Sequence, residues 1–342
     1  MSFIRLDSQD VLISADAVSA PAWSDTTVNL TSFYTSSTQT GLTSGDYYFN
    51  IYKDDVNLTS SAVPQFSVAF GHKLGSGSVL FNPAVDGNSP TSVVYKQYRN
   101  LINGDEDTDL SFQGTTPEYI GVINVERSRY KEKLLPGSLT LTLTSGSNTI
   151  KLTDNSSDVT TTTFTDAGRV YDLISGSAGV KTSTPVDDGQ YGYTANDGSY
   201  GKFLPDVGLI ILNGQALSAS ANNGGIDANF GLPSNQTGSN NEKLYDFIDT
   251  GGSFTLRSEE TVTSNYVFLR ARNGEVNYST NPSNITGSGE LRHDVMIDQP
   301  QAYISAVGLY NDNNDLLAVA KLSRPLLKDF TKEALLRVKL DY

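Results

Sequence analysis

The sequence predicts a mostly β protein with a few short helices, its strands antiparallel and arranged in sandwich-type domains. Three observations carry that expectation. Gly, Ser, Thr, Asn and Asp separate short apolar runs along all 342 residues, as in a chain with many turns and many short strands. The runs themselves are filled by Val, Ile, Thr, Tyr and Phe, the residues that suit a pleated, half-buried surface. Eighteen Tyr and 14 Phe stand against one Trp and two Met, so rigid aromatic packing fills the core.

Residues 1–35 read as an extended N-terminal arm that leads into a first strand at about 28–34. A β-rich domain follows over 36–175, with strands at 47–52 and 65–70 and a Gly-rich loop at 71–78. Its one helix lies near 90–103. Ser89 can cap it, Pro90 suits its first turn, and Val93, Val94, Gln97, Tyr98, Leu101 and Ile102 recur at helical spacing. Asn103-Gly104 ends it. Residues 119–125 read as a buried strand, 139–143 as a Leu/Thr strand, and 160–165 with 169–174 as a hairpin around Asp166-Ala167-Gly168.

Residues 176–205, rich in Gly, Asp and Tyr, read as a loop or linker before a second β-rich domain over 206–342. That domain is expected to hold strands at 207–212, 254–257, 266–272 and 274–279. A short helix over 242–248 is closed by Gly251-Gly252. Residues 302–310 and 315–322 flank a polar turn and predict a hairpin with both strands largely buried. Pro325 is expected to break it, and 335–340 alternates as a final strand. No period of 20–50 residues repeats, which excludes a solenoid or propeller.

The net charge is −14, so attraction to nucleic acid or to an anionic membrane surface is not expected. Residues 301–342 carry six Lys/Arg against five Asp/Glu, which leaves −15 on the first 300. A near-neutral, apolar tail on an acidic body predicts a segment that lies against something. Cysteine is absent, so disulfide frameworks and thiolate metal sites are excluded. The N-terminus lacks a basic start followed by an apolar stretch, and no apolar run is long enough to span a bilayer. The chain is therefore expected to be made in a cytoplasm, and its Asn-x-Ser/Thr matches are read as by-products of composition.

Little supports catalysis. Only His72 and His293 exist, and neither sits in a local motif. Both are expected at the surface or an interface. Gly75-Ser76-Gly77-Ser78 lacks the Lys and following helix of a phosphate loop, and the spacing of a nucleophile elbow. The acidic loops 105–109, 154–158 and 311–315 are read as turns. In the last, Leu316 and Leu322 stand where a calcium loop needs Gly and Glu. The expectation is a non-enzyme with no cofactor.

Candidate contact residues are of two kinds. Arg127, Arg129, Tyr130 and Lys131 lie in the most charged stretch, and Arg and Tyr are enriched where interfaces concentrate energy. Tyr303, Leu309, Tyr310, Leu317 and Lys321 lie in the apolar hairpin.

Several stretches taken together resemble virion structural proteins of contractile-tailed phages, particularly those of marine bacteria and cyanobacteria. They are 70–78 (FGHKLGSGS), 94–99 (VYKQYR), 123–137 (INVERSRYKEKLLPG), 207–213 (VGLIILN), 270–273 (RARN), 276–282 (VNYSTNP), and the tail from Tyr303 to Tyr342. The resemblance spans most of the chain and carries no catalytic residues. It implies a virion component of the tail, most specifically a wedge-type baseplate subunit, assembled in a bacterial cytoplasm. Its partners would be other virion proteins and copies of itself, without nucleic acid or membrane insertion. The alternative is a receptor- or glycan-binding fibre or tip protein that recognises its target through the Tyr-rich loop 190–200.

Overall fold

Residues 119–125 and 209–213 are apolar at nearly every position, and a strand of that kind needs cover on both faces. The computed structural model supplies that cover. It describes residues 4–35, 48–77, 82, 84–85, 89–182, 187–188, 193–194, 199–230 and 239–341. The chain is mostly β, with large antiparallel sheets and four short helices among these residues. It divides into two compact units, residues 18–260 and residues 1–17 with 261–342.

The larger unit is built on one long sheet. Its strands run in the spatial order Asn29–Leu30, Ser253–Thr255, Thr140–Ser145, Asn148–Asp154, Gly168–Ser177, Gly201–Leu204, Leu209–Asn213, Tyr119–Val125, Pro64–His72, Tyr48–Tyr52 and Tyr34–Thr35. Neighbouring strands in it pair antiparallel, for example Ile210 opposite Ile123 and Val68 opposite Ile123 on the other side. The alternation of side chains sorts the central strands into two cores. Ile120, Val122, Leu209 and Ile211 join Tyr95, Ile102, Leu110 and Phe112 on one face. Ile123, Val125, Ile210 and Leu212 join Leu244, Phe247, Phe230 and Phe254 on the other.

The first face is covered by helix Pro90–Asn103, with Pro90 in its first turn and Gly104 as its left-handed C-cap. Both ends agree with the sequence, but the buried stripe does not. Thr91, Ser92, Tyr95 and Ile102 face inward, while Val93 and Leu101 are exposed. The cause is a close approach at Gly71. A Cβ there would lie 2.8 Å from the Tyr95 backbone nitrogen and 3.2 Å from Ile120 Cγ1, so the helix settles along its Tyr95 line. Ser89 also differs from its expected role. Its hydroxyl donates to Gly75 O (2.6 Å) rather than capping the helix, and Thr91 Oγ1 donates to Ser76 O (3.0 Å). Gly71→Val should therefore push helix and sheet apart and lower the thermal midpoint, at a cost of about 1–3 kcal/mol. Gly274→Ala, where a Cβ meets nothing within 4 Å, should leave the midpoint unchanged. Thermal unfolding followed by circular dichroism checks both.

The second face is covered by helix Ser239–Asp249, which holds the expected helix and begins three residues earlier. This face curls into a half-barrel. Ser253–Thr255 is second in the sheet and Pro64–His72 is ninth, so seven spacings of about 4.8 Å would part them by roughly 34 Å if the sheet were flat. Yet the Phe66 and Phe254 rings are 5.2 Å apart. Trp23 closes this seam, its ring 4.9 Å from Phe254 and 6.0 Å from Phe66.

The smaller unit joins residues 11–17 of strand Val11–Pro21, the 261–271 part of strand Arg257–Ala271, and strand Ala334–Asp341 into one sheet. Ala334–Asp341 pairs antiparallel with Arg257–Ala271, with Val338 opposite Val267. A hairpin, Gln301–Tyr310 with Leu316–Asp329, forms a separate two-stranded sheet.

Four sequence expectations are corrected here. The boundary between the halves is not at 176–205: Gly168–Ser177 and Gly201–Leu204 on either side of it pair directly, in the same unit as residues 206–260. Within 1–35, Val11–Pro21 is a sheet strand rather than a free arm. Residues 274–279 form no strand, and the strands expected at 254–257 and 266–272 are Ser253–Thr255 and the 15-residue Arg257–Ala271, the second beginning nine residues earlier. Pro325 does not end the hairpin strand. Between the pairs Ile304–Leu326 and Ala306–Lys321 the register shifts, and Pro325 lies in that interruption, where no ladder N–H is needed.

Candidate interaction surfaces

The charged stretch after Tyr119–Val125 spends most of its chemistry on its own fold. Residues Arg127–Arg129 make one 3-10 turn. The Arg127 guanidinium donates to the carbonyls of Tyr130 and Lys131 and lies over the Tyr130 ring, 4.6 Å from its centroid. Tyr130 itself is buried, and burial pushes its hydroxyl pKa up. Lys131 is exposed but pairs with Glu260 (2.8 Å), and Lys133 pairs with Glu259 (3.3 Å). Arg129 is half-buried and donates to Ser128 Oγ. Of this group, Lys131 is exposed and Arg129 half-buried, while Arg127, itself exposed, and the buried Tyr130 hold the turn together.

Beside it is a shallow cavity of about 360 Å³ lined by Asn124, Val125, Glu126, Arg127, Tyr130, Asp206 and Val207. Its Asp206 is already engaged. It accepts from the Arg169 backbone N–H (2.7 Å) and from its guanidinium (2.6 Å). Burial raises its pKa, but the Arg169 hydrogen bonds and charge win, holding the carboxyl below its usual value.

The remaining chemical candidates are structural too. His72 is buried against the expectation of a surface site. Its Nδ1 accepts from Leu74 N–H (3.1 Å), its ring stacks on Tyr119, and burial lowers its pKa. His293 is exposed. Asp154 is fully buried and accepts from the Gly137 N–H (2.9 Å); burial raises its pKa. Asp105 binds the backbone N–H groups of Asp107 and Thr108, and Asn311 and Asp315 close their own turn. Among the described residues no group of three or more His, Cys, Asp or Glu could hold a metal ion. No helix among them is long and apolar enough to cross a membrane. The Tyr-rich loop 190–200 lies mostly outside the described residues; its Tyr200 is buried.

The hairpin is different. Its strands carry apolar residues on both faces, yet none of those apolar side chains is buried, which corrects the expectation of burial. Tyr303 (65%), Leu317 (68%) and Val319 (62%) stand most open, Tyr310 and Lys321 are exposed, and Leu309 is half-buried. The register puts Gly308 beside Val319 and Tyr310 beside Leu316 on one surface, with Val307, Leu309, Ala318 and Ala320 on the other. Sequence reasoning missed Leu12, Ile13, Leu316, Phe330 and Leu335, which extend the exposed apolar surface of the same unit. The signal for Leu316 was available: two apolar, non-alternating runs, residues 302–310 and 316–320, specify cover on two faces, whichever chain provides it.

Comparison with protein-family models, with curated proteins and with solved structures finds no match.

Proposed function

We propose that this protein is a structural subunit of a phage virion. In this reading it is a wedge-type component of a contractile-tail baseplate that scaffolds assembly by protein–protein contacts, without catalysis. The observation that carries the assembly role is the smaller unit's open apolar surface. Among the described residues, 15 of the 28 exposed large apolar side chains fall in residues 1–17 and 261–342, well under half of the chain. Contiguous exposed apolar surface marks a protein-binding face. The larger unit supplies a rigid body, and its 14 Lys/Arg against 26 Asp/Glu disfavour nucleic acid as a partner. The virion assignment rests on the resemblance of the stretches 70–78, 94–99, 123–137, 207–213, 270–273, 276–282 and 303–342 to virion structural proteins of contractile-tailed phages.

Purified tailed particles, mildly disrupted and separated on a gradient, provide the test. Peptides of this chain should co-migrate with tail or baseplate sub-assemblies in fixed stoichiometry. Their absence from particles would overturn the reading. Binding of the isolated protein to host cells or glycans, with loss from the tail core fractions, would replace it with a fibre or tip role.

A further inference from the structure

The smaller unit has almost no interior. No residue of 1–17 or 261–342 belongs to either hydrophobic core, and its buried apolar side chains among the described residues are Val267, Ala271, Ala334 and Val338. Ordering a chain costs conformational entropy that burial must offset, and a two-stranded hairpin alone is marginal in water. The surface is also built as edges. Among the described residues, the hairpin strands pair only with each other, and Val11–Pro21, at the end of its sheet, pairs only with Arg257–Ala271.

These edges differ in charge. The exposed charges along Leu316–Asp329 are Lys321 and Arg324, and the strand's one acid, Asp329, lies at its end, whereas residues 11–17 carry the exposed Asp16 and no base. The outer strand Ala334–Asp341 carries Arg337 and Lys339 against the single acid Asp341, so on balance it would oppose like charge against the hairpin. Pairing of two copies of Leu316–Asp329 would do the same. Leu12 (58%) and Ile13 (66%) on the acidic edge match Leu317 and Val319 on the basic one in exposure and apolarity.

We infer that the partner completing this unit is a second copy of the chain, whose 316–329 strand adds to the 11–17 edge of its neighbour. Main-chain hydrogen bonds between edges give such a contact its affinity, and the side chains facing across it give its specificity. Because one edge meets a different edge, the contact is heterologous, and each copy both gives and receives a strand. Repetition then closes a ring or extends a filament. This deepens the assembly role proposed above and rests on it.

The chain has no cysteine, so engineered thiols report only the contact under test. Leu12→Cys, Ile13→Cys and Ser14→Cys are each mixed, as separate full-length proteins, with Leu317→Cys or Val319→Cys and oxidised. The emission of Trp23, the chain's single tryptophan, confirms that each variant is folded. At least one mixture should give a disulfide-linked dimer that the single variants alone do not, and the unmodified protein should sediment at twice the monomer mass or more. Monomeric sedimentation without cross-links would overturn the inference. So would an oligomer in which none of the six mixtures cross-links, since assembly would then use another surface. A monomer that still enters particles would remove this contact and leave the virion role standing.

Discussion

Trp23→Ala should unfold the protein at markedly lower temperature, with a loss of about 3–5 kcal/mol, the upper range for removing a buried aromatic. The side chain is 3% exposed and sits where the curled sheet meets itself. Its indole N–H donates to two carbonyls at once, Val28 O (3.0 Å) and Phe254 O (2.9 Å). Truncation therefore leaves a cavity beside Phe66 and Phe254 and takes one donor from each carbonyl, although Val28 O keeps the Leu256 N–H. The same seam is held by Leu256 N–H to Val28 O and by Gln65, whose side chain bonds Ser24 N–H and Ser24 Oγ. Trp23→Phe separates the two losses, since it keeps a ring against Phe254 but not the donor. It should recover part of the midpoint. Circular dichroism melts of the three proteins measure this, and equal midpoints for the wild type and Trp23→Ala would contradict the seam.

That seam was not legible in the sequence, for a physical reason. Trp23 and Phe254 are 231 residues apart, and a lone Trp carries no periodicity. Strands Tyr119–Val125 and Leu209–Asn213 were legible because residues covered on both faces must be apolar at every position. Helix Pro90–Asn103 was legible at its ends, where Pro and Gly act locally, but not in its facing, which Gly71 decides from a distant strand. Only the second half of Arg257–Ala271 is legible, since the polar Ser258-Glu259-Glu260-Thr261 lacks an apolar pattern; its acids pair with Lys131 and Lys133. The candidate interface divided in the same way. The hairpin's apolarity was plain in the sequence, while the internal use of Arg127 and Tyr130 depended on a 3-10 turn whose geometry composition does not encode.

Lys328→Met should loosen the hairpin without touching the larger unit. Lys328 is fully buried, and its ammonium spends its three donors on Asn273 O (3.0 Å), Asn277 Oδ1 (2.7 Å) and Asp329 O (3.0 Å). Asn277 Nδ2 also donates to Asn273 O (2.7 Å), so the turn after Arg257–Ala271 and the root of the hairpin share one polar knot. Ala302 lies opposite Lys328 in the ladder, which fixes the knot to both strands. Methionine keeps the apolar stem and removes every donor. With hydrogen bonds to a charged group worth roughly 1.5–3 kcal/mol each and partial relaxation toward water, a net cost of about 3 kcal/mol is expected. That raises local opening of the hairpin on the order of 100-fold. Arginine should rescue poorly, because its planar fork does not match three acceptors grouped around a point charge. Limited proteolysis should then cut within residues 300–330 far faster in Lys328→Met, while the fluorescence-detected unfolding of Trp23 keeps its midpoint. If assembly depends on the hairpin edge, the oligomeric fraction falls in step with the rise in cleavage. A variant whose hairpin stays protease-resistant would show that other contacts hold its root, and that the buried ammonium is not what keeps the edge presented for pairing.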